Sequence, residues 1–445
     1  MRRPRLAHLG PALEIRDFRL WWLAMLGMNT ALQMLEVAIG WEVYAQHNSP
    51  LDLGWIGLAE FAPMFVLAIP AGHLADRLSR RRVFAIALLV GVAVGVGLAV
   101  LSRSAVSSVL PYLALAAGAG TVMAIGTPAA RALPPTLVPA GLLPSAMTLR
   151  SIASQSAQVA GPALGGLLYA VSPTLVYVLA AALCLLASVS VVMIRARPAA
   201  VTGPGTLGAS GTPGAQGAPG AASSPSLESV LEGVRFVGRT PMLLGVILLD
   251  LLVVLFGGAV ALLPVFARSI LHVGPEGLGI LRAAPAVGAL AAAVVLTRRP
   301  LVRRAGRRLL LVVAVFGASI IVFGLSRIFA LSLVMLAVSG FADMISVNIR
   351  TTTVTLATPD RLRGRVSAVE MVFISASNQL GAFESGLAAS LVGTVPAVVG
   401  GGVITLAIAL SWRRLFPSVA RIDRLQEIRP AGEPDLHPGR ELPQT

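Results

Sequence analysis

Five stretches of this chain carry polar or ionisable side chains inside otherwise apolar runs. Asn29, Gln33, Glu36 and Gly40 are spaced four, three and four residues apart, which sets three polar groups on one face of a helix. Asp250 stands within the run that begins at Pro241. Asp343, Ser346 and Arg350 also share a helical face, with Arg350 about 10 Å along the axis from Asp343. Glu370, Ser377 and Glu384 recur at heptad spacing, with Asn378 and Gln379 between them, and Glu60 lies in another apolar run. An ionisable group at mid-bilayer costs about 3 kcal/mol on insertion scales, so each needs a partner, a wet cavity or a function. Carboxyls placed this way suit proton binding and release, or contact with a charged solute. The alternative is plain pairing with Arg150, Arg282 and Arg350. For Glu42, Glu370, Arg131 and Arg150, near expected helix ends, a structural role is the expectation. For Glu36, Asp250 and Asp343 a functional role is expected, and Glu60 and Glu384 stay open between the two.

The elements that must position these groups follow from composition. Of 445 residues, 56% are hydrophobic and only 12% charged, too few charges to cover a soluble surface. Mean hydropathy is +0.82. Apolar runs of about 20 residues recur along the chain, as membrane-crossing helices require. The expected fold class is an all-α membrane protein of about twelve transmembrane helices. Every basic residue is Arg, and the net charge is +15. These arginines form no single patch, as nucleic-acid binding would need. They cluster between alternate apolar runs, at Arg77 to Arg82, Arg195 to Arg239, Arg298 to Arg308 and Arg361 to Arg365, whereas the intervening connections hold only Arg103, Arg268 and Arg327. By the positive-inside rule both termini are cytoplasmic in a cell (inner) membrane, and the number of spans is even. The start of the chain lacks the apolar core and cleavage site of a signal peptide, so the first span is expected to do the targeting.

Residues 198–227 are uncharged and rich in Gly, Pro, Ala, Ser and Thr, the composition of a flexible linker. Leu227, Val230, Leu231 and Val234 then follow helical spacing, as in a short amphipathic helix on the membrane. The expected organisation is a cytoplasmic segment (1–19), a six-helix bundle (20–195), a linker with that short helix (196–240), a second six-helix bundle (241–415) and a cytoplasmic tail (416–445). The bundles read as a parallel repeat: Pro139 and Leu142 match Pro359 and Leu362, and at the same offset Gln158, Gly161 and Gly166 fall on Asn378, Gly381 and Gly386. Repeats related by an axis along the membrane normal are a transporter plan.

The run Gly72-His-Leu-Ala-Asp76-Arg77-Leu-Ser-Arg80-Arg81-Arg82 resembles the loop signature between spans two and three of the major facilitator superfamily, with Ser79 for its second glycine. Gly72 allows close helix approach, Asp76 is placed to hold the facing half by a charged contact, and Arg77, Arg80 and Arg81 sit at headgroup level. Gly161-Pro162-Ala-Leu-Gly165-Gly166 is similar to the end of that superfamily's antiporter signature, which is associated with exporters; tight packing alone would also explain it. Many drug–proton antiporters carry an Arg in span four, but Ala114 to Gly118 has none, so that coupling design is not implied. Phe18 to Trp22, Leu143 to Ala146 and Arg363 to Val366 resemble the branch containing the enterobactin exporter and macrolide-efflux proteins.

The resemblance implies alternating access with spans one, four, seven and ten lining the cavity. It implies proton-coupled export of a small amphipathic molecule, a drug or siderophore, by a monomer in contact with membrane lipids and protons. Uptake by a symporter, or lipid flipping, are the alternatives. No cofactor or metal is implied. Walker, HExxH and GxSxG motifs and Cys/His clusters are absent, the single Cys184 lies in an apolar run, and an enzyme is not expected. The arginine pattern makes a direct prediction. Gly205→Cys and Gly439→Cys, each in a Cys184→Ser background, should resist membrane-impermeant thiol reagents in intact cells and react after permeabilisation.

Overall fold

The computed structural model describes residues 10–77, 79–104, 106, 108–195, 227–298 and 304–428, with the backbone alone at 68–77, 227–230 and 427. Of the linker expected over 196–240, residues 196–226 lie outside these residues, as do the ends of both tails. Thirteen helices of eight or more residues follow one another among the described residues. They are α1 (Arg16–His47), α2 (Pro50–Arg77), α3 (Arg80–Leu101), α4 (Leu110–Arg131), α5 (Leu143–Val171) and α6 (Pro173–Val192), then α7 (Leu227–Arg239), α8 (Pro241–Phe256), α9 (Pro275–Arg298), α10 (Ala305–Leu325), α11 (Phe329–Ala357), α12 (Asp360–Val392) and α13 (Thr394–Leu415). Ten segments, with Pro241–Ile270 taken as one, are long and apolar enough to cross a membrane. The other two long helices, α5 with 29 residues and α12 with 33, have sufficient length but are more polar.

Local chemistry sets the helix ends. Asn48 ends α1 in the left-handed conformation (φ 50°), which Asn tolerates better than most residues, and Pro50 starts α2 two residues later. The Ser79 hydroxyl accepts from the Arg82 amide at 3.4 Å and caps α3, a use for the residue that departs from the loop signature. The seventh apolar run, read from sequence as one helix, is interrupted. Gly257 and Gly258 end α8, and short turns lead into a π-helical segment at Phe266–Ile270. The Gly258 carbonyl accepts from the Ser385 hydroxyl of α12 at 3.2 Å. Irregular backbone at membrane depth survives only where protein or water satisfies it, and here the neighbouring helix does. The amphipathic α7 rests on α12 rather than only on lipid: Gly233 abuts the Arg365 backbone, and Glu232 pairs with Arg365. Its Leu231 and Val234 remain exposed.

The apolar core divides in an unequal way. On the face where α1 begins, two separate clusters form. One gathers Phe18, Trp21, Met28, Phe84, Leu88 and Leu149, and the other Leu243, Leu249, Leu309, Ile349, Leu362 and Trp412. On the opposite face a single cluster runs from Met34, Ile39 and Tyr177 of the first six helices to Phe266, Leu278, Phe323 and Leu336 of the last six. The two sets of helices therefore share one core at the distal face and part towards the face that carries the start of α1.

The shared seam is made by two equivalent helix crossings. A Cβ on Gly166 of α5 would lie 2.3 Å from the Pro275 carbonyl oxygen of α9 and 2.9 Å from the Gly279 Cα. A Cβ on Gly386 of α12 would lie 2.8 Å from both the Pro50 carbonyl oxygen and the Gly54 Cα of α2. Pro50 and Gly54 have the spacing of Pro275 and Gly279, so the same Pro-x-x-x-Gly surface receives a glycine twice. No side chain fits without moving backbone, and overpacking of this kind costs about 1–3 kcal/mol. Gly166→Ala is therefore expected to lower thermal stability in detergent and raise labelling of cysteines placed inside the cleft from the distal face. Gly400→Ala, where a Cβ meets nothing within 4 Å, should change neither.

Candidate functional site

Two groups of charges lie within the membrane-spanning helices. The first bridges the seam. Glu36 of α1 forms an ion pair with Arg282 of α9, the Arg side chain 12% exposed and the Glu 38%. Glu60 of α2 lies within electrostatic reach of both, with Gln379 of α12 beside it. Two carboxylates thus share one guanidinium at a point where four helices meet. Around them the halves are further joined by Tyr44 and Ser269, whose hydroxyls are 2.8 Å apart, and by Gln155 Nε2 donating to the Ala286 carbonyl at 3.3 Å.

The second group belongs to the last six helices and lies nearer the opposite face. Arg350 of α11 pairs with Asp250 of α8 and lies 3.9 Å from Asp343, one face up its own helix. Glu370 of α12 lines the same small cleft with Phe373 and Ile374, where there is 10 Å³, about the space of one water. The Arg350 side chain is 8% exposed, while that of Asp343 is 49% exposed midway along its helix. Asn348, Thr351 and Thr355 are exposed along the same helix. Uncovered polar groups at this depth belong beside a water-filled space rather than lipid.

The structure thus brings Glu36 to Arg282, and Asp250 and Asp343 to Arg350, and no ion pair joins the two groups among the described residues. Asn29 and Gln33 share the Glu36 face: the Asn29 amide nitrogen is buried without a partner among the described residues, and Gln33 packs over Gly161. Glu384 belongs to neither group. Arg150 has no ion pair with any described acid, so its expected pairing is corrected; neither does Arg131, which reaches Met371 Sδ of α12 at 3.8 Å. Of the loop signature, Arg80 and Arg81 donate to the carbonyls of Ala132 and Ile194, tying α3 to the ends of α4 and α6. The side chains of Gly72, Asp76 and Arg77 lie outside the described residues. In the second signature Gly161 and Gly165 face α1, while Pro162 and Gly166 face α9.

Glu42 has the structural role expected of it. It is 4% exposed and accepts hydrogen bonds from Tyr177 and from Tyr112, the latter at 2.8 Å, which joins α1, α4 and α6. Sequence reading missed the two tyrosines. Each is an ordinary residue in an apolar run, and only the pairing of distant helices reveals its partner.

A family model described as transmembrane secretion effector matches residues 8–431. The chain belongs to this family of the major facilitator superfamily. It is a multi-pass membrane transporter, not an enzyme. It is 27% identical over 401 residues to the enterobactin exporter EntS of Citrobacter koseri, covering 88% of this chain and 90% of that protein. To EntS of Escherichia coli O1:K1 / APEC it is 26% identical over 410 residues, covering 89% and 92%. The fold matches a bacterial homologue of the human lysosomal transporter Spinster, in an inward-facing and unoccupied conformation, with a TM-score of 0.68, 17% identity and coverage of 92% and 98%. It also matches a D-xylose–proton symporter, with a TM-score of 0.63, 14% identity and coverage of 92% and 99%.

Removing one partner of a fully buried ion pair costs about 3–5 kcal/mol, and the partial exposure of Glu36 lowers that figure. Arg282→Gln leaves Glu36 and Glu60 facing each other without a cation, so it should destabilise the transporter by about 2 kcal/mol and more than Glu36→Gln does. Thermal unfolding of the two single variants and Glu36→Gln/Arg282→Gln, taken as a double-mutant cycle, measures the coupling.

Proposed function

We propose that this transporter is a proton-coupled exporter of a small amphipathic molecule, drug or siderophore, working by alternating access of two six-helix bundles. The carrying observation is Asp343, an exposed carboxylate at mid-depth beside a buried guanidinium. The shared core and the two glycine crossings close the distal face, and the separate cores leave a cleft on the other. With the arginine clusters on the cytoplasmic side, α5 and α12 count as crossings, giving twelve spans and a cleft open to the cytoplasm. The chain would act as a monomer in the inner membrane, with residues 196–240 linking its bundles.

In this state Arg350 approaches Asp343 and takes the proton's place as its counter-charge, so a proton carried on Asp343 is released into the cleft. Asp250 holds Arg350 in position for this. Parting of the seam separates Glu36 from Arg282 and exposes the site on the other side, where Asp343 is protonated again. Inward proton flow then drives outward movement of solute without nucleotide or metal. Arg131 and Arg150, without described acid partners near the wide end of the cleft, favour a solute bearing acidic groups, and the relatives named as enterobactin exporters agree with that choice.

Proteoliposomes loaded with enterobactin or an acidic analogue test this reading. Asp343→Asn should abolish accumulation driven by a proton gradient while downhill exchange continues, because the amide keeps the size but cannot cycle its charge. If Asp343→Asn, Asp250→Asn and Glu36→Gln all still concentrate solute against a gradient, coupling does not reside in these acids.

A further inference from the structure

We propose a binding site for an anionic phospholipid at the membrane interface between α10 and α13, a site separate from the cleft and independent of what the protein transports. The start of α10, the end of α13 and the segment after it enclose a cavity of 740 Å³, lined by Arg304, Arg307, Arg413 and Arg421 with Ile422 and Asp423. None of these four arginines has an ion pair among the described residues. The one carboxylate, Asp423, accepts the Arg304 amide at 3.0 Å, while the Asp423 and Ile422 carbonyls accept the amides of Ala305 and Gly306 at 3.0 and 2.9 Å. The segment after α13 is thus held over the start of α10, and the walls of the cavity do not depend on a ligand. What it encloses is four guanidiniums against a single carboxylate, a net excess of positive charge.

The surroundings choose a lipid over a free ion. Leu311 lies one helical turn deeper than Arg307 on the same face of α10, and Leu410 one turn deeper than Arg413 on α13; they are 63% and 71% exposed. Leu415, also exposed, and Phe416, stacked on Trp412, complete an interfacial rim. Guanidiniums above and lipid-facing leucines below match a phosphate headgroup with acyl chains. Guanidinium forks bind phosphate oxygens in pairs, and basic pockets between membrane helices are a recurrent setting for acidic headgroups.

Native mass spectrometry of the full chain in detergent, with phosphatidylglycerol or phosphatidylcholine added, tests the site. Each basic residue near an acidic lipid surface contributes about fivefold in affinity, so Arg307→Gln/Arg413→Gln should weaken phosphatidylglycerol retention about 25-fold. Phosphatidylcholine should bind weakly to both proteins. Arg363→Gln, which removes a surface charge elsewhere on the same face, should leave retention unchanged. If the double variant does not fold, Arg307→Lys/Arg413→Lys and the wild-type preference between the two lipids decide the matter. Equal retention of both lipids by the wild type overturns the proposal. So does displacement of phosphatidylglycerol by inorganic phosphate in excess, which would mark a free-anion site instead.

Discussion

The crossings of α5 with α9 and of α2 with α12 bring helix backbones to a separation that only glycine permits, and much of the remaining architecture follows from that approach. With lipid as apolar as leucine, helices gain little by burying hydrophobic surface against each other and depend on close backbone packing. Two such crossings at one face unite the cores of the two helix sets there. Among the described residues no such crossing joins the two sets at the other face, where their cores are separate.

That seam also explains where the charges lie. Glu36 and Arg282 meet because α1 and α9 converge at the face where the two helix sets share a core. Arg350, Asp250 and Asp343 all sit within one helix set. One group spans the seam, and the other lies wholly to one side of it.

The antiporter-type motif has a physical reading here that needs no reference to coupling. Gly161 and Gly165 let α1 lie against α5, and Pro162 and Gly166 let α9 do so from the other side. The motif is a spacer between the cavity-lining α1 and the opposite half. Its repeat counterpart at Gly386 does the same for α2, which is why the two halves meet symmetrically although their sequences have diverged.

Much of the fold was legible from the chain alone, because apolar runs of helical length, alternating arginine clusters and paired motifs are local patterns whose meaning lipid imposes on each segment separately. The acids in those runs were equally visible, since a charge among twenty apolar residues has no local excuse. Their partners were not. That Glu36 would take Arg282, that Arg150 would take no described acid, and that Tyr112 and Tyr177 would enclose Glu42 depend on contacts between helices far apart in sequence. The break at Gly257 and Gly258 has the same origin: two glycines in an apolar run are compatible with a continuous membrane helix, and Ser385 of α12 supplies the hydrogen bond that makes the interruption tolerable. Sequence determined which segments lie in lipid and which residues must be compensated there; tertiary packing alone decided who compensates whom, because that depends on the distances between helices and not on the order of residues within them.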